Sequence, residues 1–410
     1  MTRYVSLREL PVRGKRALIR VDFNVPLCED GTIRDDTRIR LTLPSIHHVL
    51  REGGIPILLS HLGRPQGKKE NAYSLKPVRA HLARLLDTPV TMADDCVGSE
   101  VERKSRLLRE KEILLLENTR FHEGEEHPEK DPSFAEKLAC SGDLYVNEAF
   151  GTSHRYHASV TELPRYFKGK RGIGLLMEKE LSSLRILRHP PKPFALLIGG
   201  AKVDTKIDTL LMLVKKTDLI LIGGGMAFPF LKARGVEVGD SLCSDTCLRI
   251  AREFVRTCEK ENVPLVLPVD FTVAAMPIET GFEEGEAYVV SAKEGIPPGY
   301  GGVDIGPATL EEWAALLKPC RTLFWNGPMG IFEIPRFASG TYALTKILAE
   351  SAHMTGATTI AGGGDSNAAI RATGLEKGFT HICSGGGAAL EYVRSGRLPG
   401  LEALRDGSGP

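Results

Sequence analysis

Phe194-Ala195-Leu196-Leu197-Ile198-Gly199-Gly200-Ala201-Lys202 is the stretch from which the fold can be read. Five consecutive apolar residues leave no polar alternate face, so both sides of such a strand must be covered. The run then breaks onto two glycines and a lysine, and Lys206 follows one helical turn after Lys202. A strand, a glycine turn and a helix start make a βα unit of a parallel sheet. The grammar recurs. Leu219–Ile222 runs into Gly223-Gly224-Gly225, Thr358–Ala361 into Gly362-Gly363-Gly364-Asp365-Ser366, and Thr380–Cys383 into Ser384-Gly385-Gly386-Gly387. Further apolar runs are Ala17–Val21, Ile55–Leu59, Ile113–Leu116, Leu144–Val146, Leu265–Val269 and Thr322–Trp325. Helical patterns such as Arg38–Glu52, Leu75–Leu86, Asp245–Glu259 and Ser339–Ser351 lie between them. Ten or more strands overfill one twisted sheet. The expectation is therefore α/β, with two Rossmann-like domains, each a parallel sheet carrying helices on both faces.

A length of 410 residues suits two or three domains. The boundary is expected near residues 165–192. A helical stretch, Glu178–Leu187, leads there into His189-Pro190-Pro191-Lys192-Pro193. Proline cannot continue a helix and biases its predecessor towards extended backbone.

Net charge is +1, which hides a polarity. Residues 1–198 carry 33 Lys+Arg against 27 Asp+Glu, and residues 199–410 carry 20 against 25. Of 31 arginines, 21 fall in the first part, while 30 of 43 glycines fall in the second. A general nucleic-acid binder is expected to be basic throughout, so a local arginine cluster points to a small anion. Eight scattered cysteines without a C-x-x-C pair point to reduced thiols rather than a disulfide framework. No apolar run approaches membrane-spanning length and no secretory h-region opens the chain, so a cytoplasmic protein without membrane or nucleic-acid partners is expected.

Ligands of open α/β sheets bind at the carboxyl ends of the strands. In the first half these ends read Asp22-Phe23-Asn24, His61-Leu62-Gly63-Arg64, Asn118-Thr119-Arg120 and Asn147 through Arg155, with Arg38 at the start of the first helix. Guanidinium forks bind phosphate and carboxylate bidentately. In the second half the ends are glycines. Glycine lets backbone amides approach a phosphate or a ring, and a following helix N-terminus favours anions. Lys202 and Lys206, four apart, would share one helix face. Asp365 is a candidate magnesium ligand beside phosphate oxygens, or equally a helix N-cap.

Several motifs are absent. There is no G-x-x-x-x-G-K-[ST], no G-x-G-x-x-G and no G-x-S-x-G. His122-Glu123-Gly124-Glu125-Glu126-His127 imitates a zinc-protease helix, but its histidines are five apart, and Gly124 and Pro128 disfavour a helix there. Arginines for a small anion in one half and glycine turns with lysines in the other make phosphoryl transfer the economical inference, since that chemistry rests on positioning and charge neutralisation. A carboxylate acceptor would need no general base, being ionised at neutral pH.

At this point the motifs resemble one family. Ile19-Arg20-Val21-Asp22-Phe23-Asn24-Val25-Pro26 is similar to the first-strand motif of the phosphoglycerate kinases. So are Ser60–Pro65, Leu116–Phe121, Tyr145–Arg155, Gly199–Lys206, Phe324–Glu333, Gly362–Ser366 and Cys383–Glu391, in family order. The resemblance implies a 3-phosphoglycerate-binding domain over 1–172, completed by about 396–410. It implies an interdomain helix and hinge over 173–192 and a nucleotide-binding domain over 193–395. The implied activity is that of a phosphotransferase with a carboxyl acceptor, ATP + 3-phosphoglycerate ⇌ ADP + 1,3-bisphosphoglycerate, in glycolysis and gluconeogenesis. Mg²⁺ is the implied cofactor and ATP/ADP the co-substrate. A monomer is expected, with a dimer as the alternative.

Carried over by motif, Asp22, Asn24 and Arg38 would hold the glycerate end with His61 beside them. Arg64, Arg120 and Arg155 would bind the 3-phosphate. Lys202 would follow the transferring phosphoryl group, with Arg38 facing it from the other domain, and Lys206 would bind nucleotide phosphates. Gly199, Gly223, Gly224, Asn326 and Pro328 would frame the nucleotide, and Glu333 would accept the ribose hydroxyls. Asp365 would hold the magnesium beside Ser366. Gly362, Gly363 and Gly364, with Gly385, Gly386 and Gly387, would line the phosphate path. Ser366 stands where the family usually has threonine, and Asp204-Thr205 where it usually has Ser-Asp. Two other readings remain open: a related acyl-phosphate kinase, which the three-arginine phosphate site disfavours, and a silent nucleotide-binding scaffold, which would have lost Lys202, Arg38 or Asp365.

Overall fold

A computed structural model describes residues 3–201, 207–277 and 287–405. Lys202 and Lys206 lie outside the described residues. The chain divides into two compact units, one of residues 1–182 with 395–410, the other of 183–394.

Unit 1 is built on six parallel strands: β1 (Arg16–Arg20), β2 (Ile55–Leu59), β3 (Val90–Met92), β4 (Ile113–Leu115), β5 (Leu144–Asn147) and β6 (Arg171–Ile173). Their order is β3-β4-β2-β1-β5-β6. All five residues of β2 are buried, as its unbroken apolar run requires. Ile39, Ile46 and Val49 on the helix Thr37–Arg51 pack against Ile19, Val21 and Leu58 in one core. The chain returns to this unit at its end. The short helix Pro399–Glu402 seats Gly400 N on Ser153 O at 2.9 Å, and Asn147 Nδ2 donates to Gly400 O.

Unit 2 holds two sheets. The larger is parallel, from β7 (Phe194–Ile198), β8 (Leu219–Ile222), β9 (Leu265–Val266), β13 (Thr322–Asn326), β14 (Thr358–Gly362) and β15 (His381–Ile382). Its order is β15-β14-β13-β7-β8-β9. Between β9 and β13 lies an antiparallel sheet of β10 (Asp270–Ala275), β11 (Ala287–Ser291) and β12 (Tyr300–Ile305), in the order β11-β10-β12.

The two parallel sheets bear out the expected fold class. The antiparallel sheet was not foreseen, and the run Leu265–Val269 is a strand only to Val266, since Pro268 has no N–H for a ladder. Glycines disguise β12. A Cβ at Gly302 would lie 2.3 Å from Phe228 Cζ, so the strand carries glycine where an aromatic ring lies on its backbone. The basic stretch of residues 168–171 leads into the edge strand β6 at Arg171. Arg171 is buried, donating to Pro164 O at 3.0 Å and Arg405 O at 2.5 Å.

Candidate active site

In unit 1 the strands β4, β2, β1 and β5 are consecutive neighbours, so their carboxyl ends form one edge. At about 4.8 Å between strands, four ends span about 14 Å, the scale of a small bound acid. That edge carries Arg120 after β4, His61 and Arg64 after β2, Asp22 and Asn24 after β1, and Arg155 beyond β5. Arg38 stands in the first turn of the helix following β1, and its Nη1 donates to Asp22 Oδ2 at 2.9 Å.

The turn after β2 is held from both sides. Gly63 N donates to Asn24 Oδ1 at 2.9 Å, and Arg120 Nη1 donates to Gly63 O at 2.7 Å. Gly63 has φ +62°, and a Cβ there would lie 2.2 Å from Tyr73 Cδ1. Only glycine satisfies both the backbone and the ring. Arg64 projects from this turn and is exposed. Neither Arg64 nor the half-buried Arg155 has a side-chain hydrogen bond or ion pair among the described residues. Arg120 is buried and pairs with Glu126 at 3.0 Å. Burial lowers its pKa, and Arg20 and Arg155 push in the same direction. Cations crowd here without enough anions, which is the field of a site awaiting one.

Beneath the edge lies a polar layer that sequence reasoning missed. Arg20 and Glu125 are wholly buried and 3.6 Å apart. Arg20 Nε donates to Ser159 Oγ at 2.7 Å, and Ser159 Oγ donates to Glu125 Oε1 at 2.6 Å. Arg20 Nη2 lies 3.1 Å from His61 Nδ1. A guanidinium only donates, so Nδ1 accepts and the proton of His61 sits on Nε2. Burial, then Arg20, Arg120 and other cations, hold His61 well below its ordinary pKa and therefore neutral. The signal was present in the sequence: Arg20 follows three apolar residues at the buried end of β1 and must find a partner.

In unit 2 the carboxyl ends of β14, β13, β7 and β8 are likewise neighbours. Gly199 N donates to Asn326 O at 2.9 Å, Gly200 N to Pro328 O at 2.8 Å, and Met226 N to Gly200 O at 2.8 Å. A Cβ at Gly199 would lie 2.2 Å from Pro328 O. At Gly224, φ +61°, it would lie 2.8 Å from Gly200 N, and at Gly223 2.4 Å from Met329 Sδ. These three glycines therefore let the turns pack on one another. The close approach these glycines permit is, within the chain, one of turn upon turn.

Gly364 differs, since a Cβ there would meet open space. It opens the helix Gly364–Thr373, N-capped by Gly363. Beside it the helix Gly386–Ser395 starts after Gly385, and a Cβ at Gly386 would lie 2.5 Å from Gly363 Cα. Two helix N-termini, with Gly362 to Gly364 and Gly385 to Gly387 around them, thus lie side by side, and the positive ends of both helix dipoles come together. Ser366 Oγ accepts from Gly327 N at 2.6 Å and donates to Gly362 O, and Asn326 Nδ2 donates to Gly362 O at 2.8 Å. Asp365 is not the N-cap. It is exposed and its carboxylate has no partner among the described residues.

A cavity of about 390 Å³ adjoins these turns. Phe228, Leu242, Met276, Met329 and Ile331 give it apolar walls, Pro328 and Gly224 frame it, and Glu333 and Asp365 line it with carboxylates. An apolar slot with few polar groups suits a flat ring carrying a polar tail. Asp304, on β12, also lines it. Burial raises its pKa to about 7 against backbone N–H donors including Gly340 and Ile305.

Comparison with known proteins agrees over nearly the whole length. The family described as phosphoglycerate kinase matches residues 7–396. The phosphoglycerate kinase of Chlorobium phaeovibrioides is 48% identical over 402 residues, 98% of this chain and 99% of the relative. Among solved structures, phosphoglycerate kinase from Coxiella burnetii superposes with a TM-score of 0.82 at 35% identity, covering 98% of this chain and 99% of that one. The enzyme from Pyrococcus horikoshii superposes at 0.85 and 30%, covering 97% and 98%. The chain belongs to the phosphoglycerate kinase family.

Proposed function

We propose that the two strand-end edges divide the family's reaction, ATP + 3-phosphoglycerate ⇌ ADP + 1,3-bisphosphoglycerate, between them. The edge of unit 1 takes the phosphorylated acid. Arg64 and Arg155, which have no partner among the described residues, and the buried Arg120 bind the 3-phosphate. The convergence of arginines on four adjacent strand ends, with Arg64 and Arg155 unpaired among the described residues, is the observation that carries the reading. Asp22 holds Arg38, which presents its remaining N–H groups to the carboxylate, and neutral His61 offers Nε2–H beside them. Asn24 fixes the turn that aims Arg64.

The edge of unit 2 takes the nucleotide. The cavity receives the base, Glu333 the ribose hydroxyls, and the paired helix N-termini the phosphates. A carboxylate without a partner among the described residues, beside a phosphate seat, fits Mg²⁺, which is commonly held by one or two carboxylates and substrate phosphates. Asp365 is the residue that would hold it, and the ion would neutralise phosphate charge. Lys202 and Lys206 are assigned the transferring and nucleotide phosphates by their motif. No general base is required, because the acceptor is already a carboxylate. The protein acts in the cytoplasm. ADP formation from ATP, Mg²⁺ and 3-phosphoglycerate tests the whole reading. Lys202→Ala should lower kcat far more than it weakens nucleotide binding, and equal losses in both would count against its role.

A further inference from the structure

Beyond the carboxyl ends of β3 and β4, two residues past Arg120, three donors of different chemistry meet in unit 1. The loop between β3 and the helix Ser99–Leu107 brings Asp95 and Cys96, and the residue after the 3-10 turn Thr119–Phe121 brings His122. One ligand atom from each, a carboxylate oxygen, the thiol sulfur and a ring nitrogen, lie within 4.8 Å of one another. His122 Nε2 and Asp95 Oδ1 are 2.6 Å apart. Cys96 is wholly buried, and the Asp95 and His122 side chains are 44% and 30% exposed, which opens a path from solvent. The phosphoryl-transfer reading uses none of the three. The His122–His127 spacing that imitated a zinc motif leads elsewhere, since His127 pairs with Glu129 at 3.3 Å.

We propose that Asp95, Cys96 and His122 form a site for a thiophilic divalent cation of the Zn²⁺ class, with a fourth position open to water. Sulfur, imidazole and carboxylate together match the ligand set of such ions and not that of Mg²⁺ or Ca²⁺. Tetrahedral bonds of this set place ligand atoms about 3.3–3.7 Å apart. From separations of at most 4.8 Å, the cluster reaches that spacing if the sulfur draws in by up to about 1.3 Å and the His122–Asp95 pair, now 2.6 Å apart, opens by about 1 Å. The surroundings hold the donors near their places. The His122 ring stacks on Phe134 with centroids 5.1 Å apart, and Glu117 N donates to Asp95 O. Lys69 and Lys104 are engaged by Asp94 rather than by Asp95. On binding, the S–H bond of Cys96 breaks, the sulfur keeps the electron pair and bonds the cation, and the proton leaves to solvent.

The full chain, stripped of metal with EDTA and dialysed, is titrated with Co²⁺ alone, followed by competition with Zn²⁺. One equivalent with a thiolate-to-cobalt charge-transfer band is expected. Cys96→Ala should abolish the band, and Cys140→Ser, at an exposed cysteine, should leave it unchanged. Asp95→Asn keeps the thiol, so it should keep the band while weakening binding about tenfold or more. That variant separates a lost ligand from a lost fold. No thiolate band in the unsubstituted chain, a band that survives Cys96→Ala, or an Asp95→Asn affinity equal to the parent would each overturn the proposal.

Discussion

Gly63→Ala probes how the substrate edge is held. Two costs can be separated. Alanine at φ +62° occupies the left-handed region, which costs about 1–2 kcal/mol. The new Cβ would also stand 2.2 and 2.4 Å from Tyr73 Cδ1 and Cε1. The ring must move, an overpacking of about 1–3 kcal/mol. Tyr73 cannot retreat with its backbone, because Asn118 Nδ2 holds its carbonyl at 2.8 Å. The expected loss is about 2–5 kcal/mol, a large share of a typical 5–15 kcal/mol. Tyr73→Ala in the same chain removes the clash but leaves the backbone strain. Urea unfolding of the parent, both single variants and the double variant should therefore give a coupling of about 1–3 kcal/mol. The same turn carries Arg64, so the KM for 3-phosphoglycerate should rise while that for ATP holds. A loss below about 1 kcal/mol, or no coupling to Tyr73, would refute the reasoning.

The buried layer and the titrating carboxylates give further outcomes. Glu125→Gln leaves Arg20 buried without its anion and should cost about 3–5 kcal/mol in urea unfolding, with a raised KM for 3-phosphoglycerate because Arg20, on which His61 rests, loses its own anchor; a cost below about 1 kcal/mol would mean Arg20 is compensated otherwise. Glu148 is wholly buried, accepts from Leu176 N and Met177 N at 3.0 and 3.2 Å, and is pushed by burial to about 7. An unfolded glutamate titrates near 4.3, so the folded chain keeps a proton that the unfolded chain has lost between these values. Stability should thus fall as pH rises through that window and level off above it, with Glu148 contributing on the order of 2–4 kcal/mol. Glu148→Gln should remove this part of the slope of urea midpoints between about pH 5 and 8, leaving the contributions of Asp304, which burial also raises to about 7, and of His61, and an unchanged slope would remove Glu148 as a cause.

What could be read in advance follows from physics that acts locally. A strand covered on both faces must be continuously apolar, and β2, β7 and β8 have the bounds their apolar runs suggest. Strand ends followed by arginine or glycine were legible for the same reason. The edge strands of the first sheet were not: β3 has three residues, and β6 contains an arginine and a glycine. The antiparallel sheet was hidden because its glycines answer to Phe228 and Met276, contacts far apart in sequence. The arginine set at the substrate edge was visible, but Glu125 was not, because it sits in a decoy histidine motif and meets Arg20 only in the folded chain. Glycine was read as serving a ligand. At Gly199, Gly223 and Gly224 it serves the packing of turns, whereas at Gly364 the space is open.

The division of labour between the two edges is tested most directly by crossed Michaelis constants in one coupled assay of ADP formation. Arg64→Ala should raise the KM for 3-phosphoglycerate about tenfold or more, the loss of a charge-assisted phosphate contact, and leave the KM for MgATP within about twofold. Asp365→Asn should do the converse and steepen the dependence on Mg²⁺. Either substitution raising both constants together, or Arg64→Ala acting on MgATP alone, would contradict the assignment of acid and nucleotide to separate units.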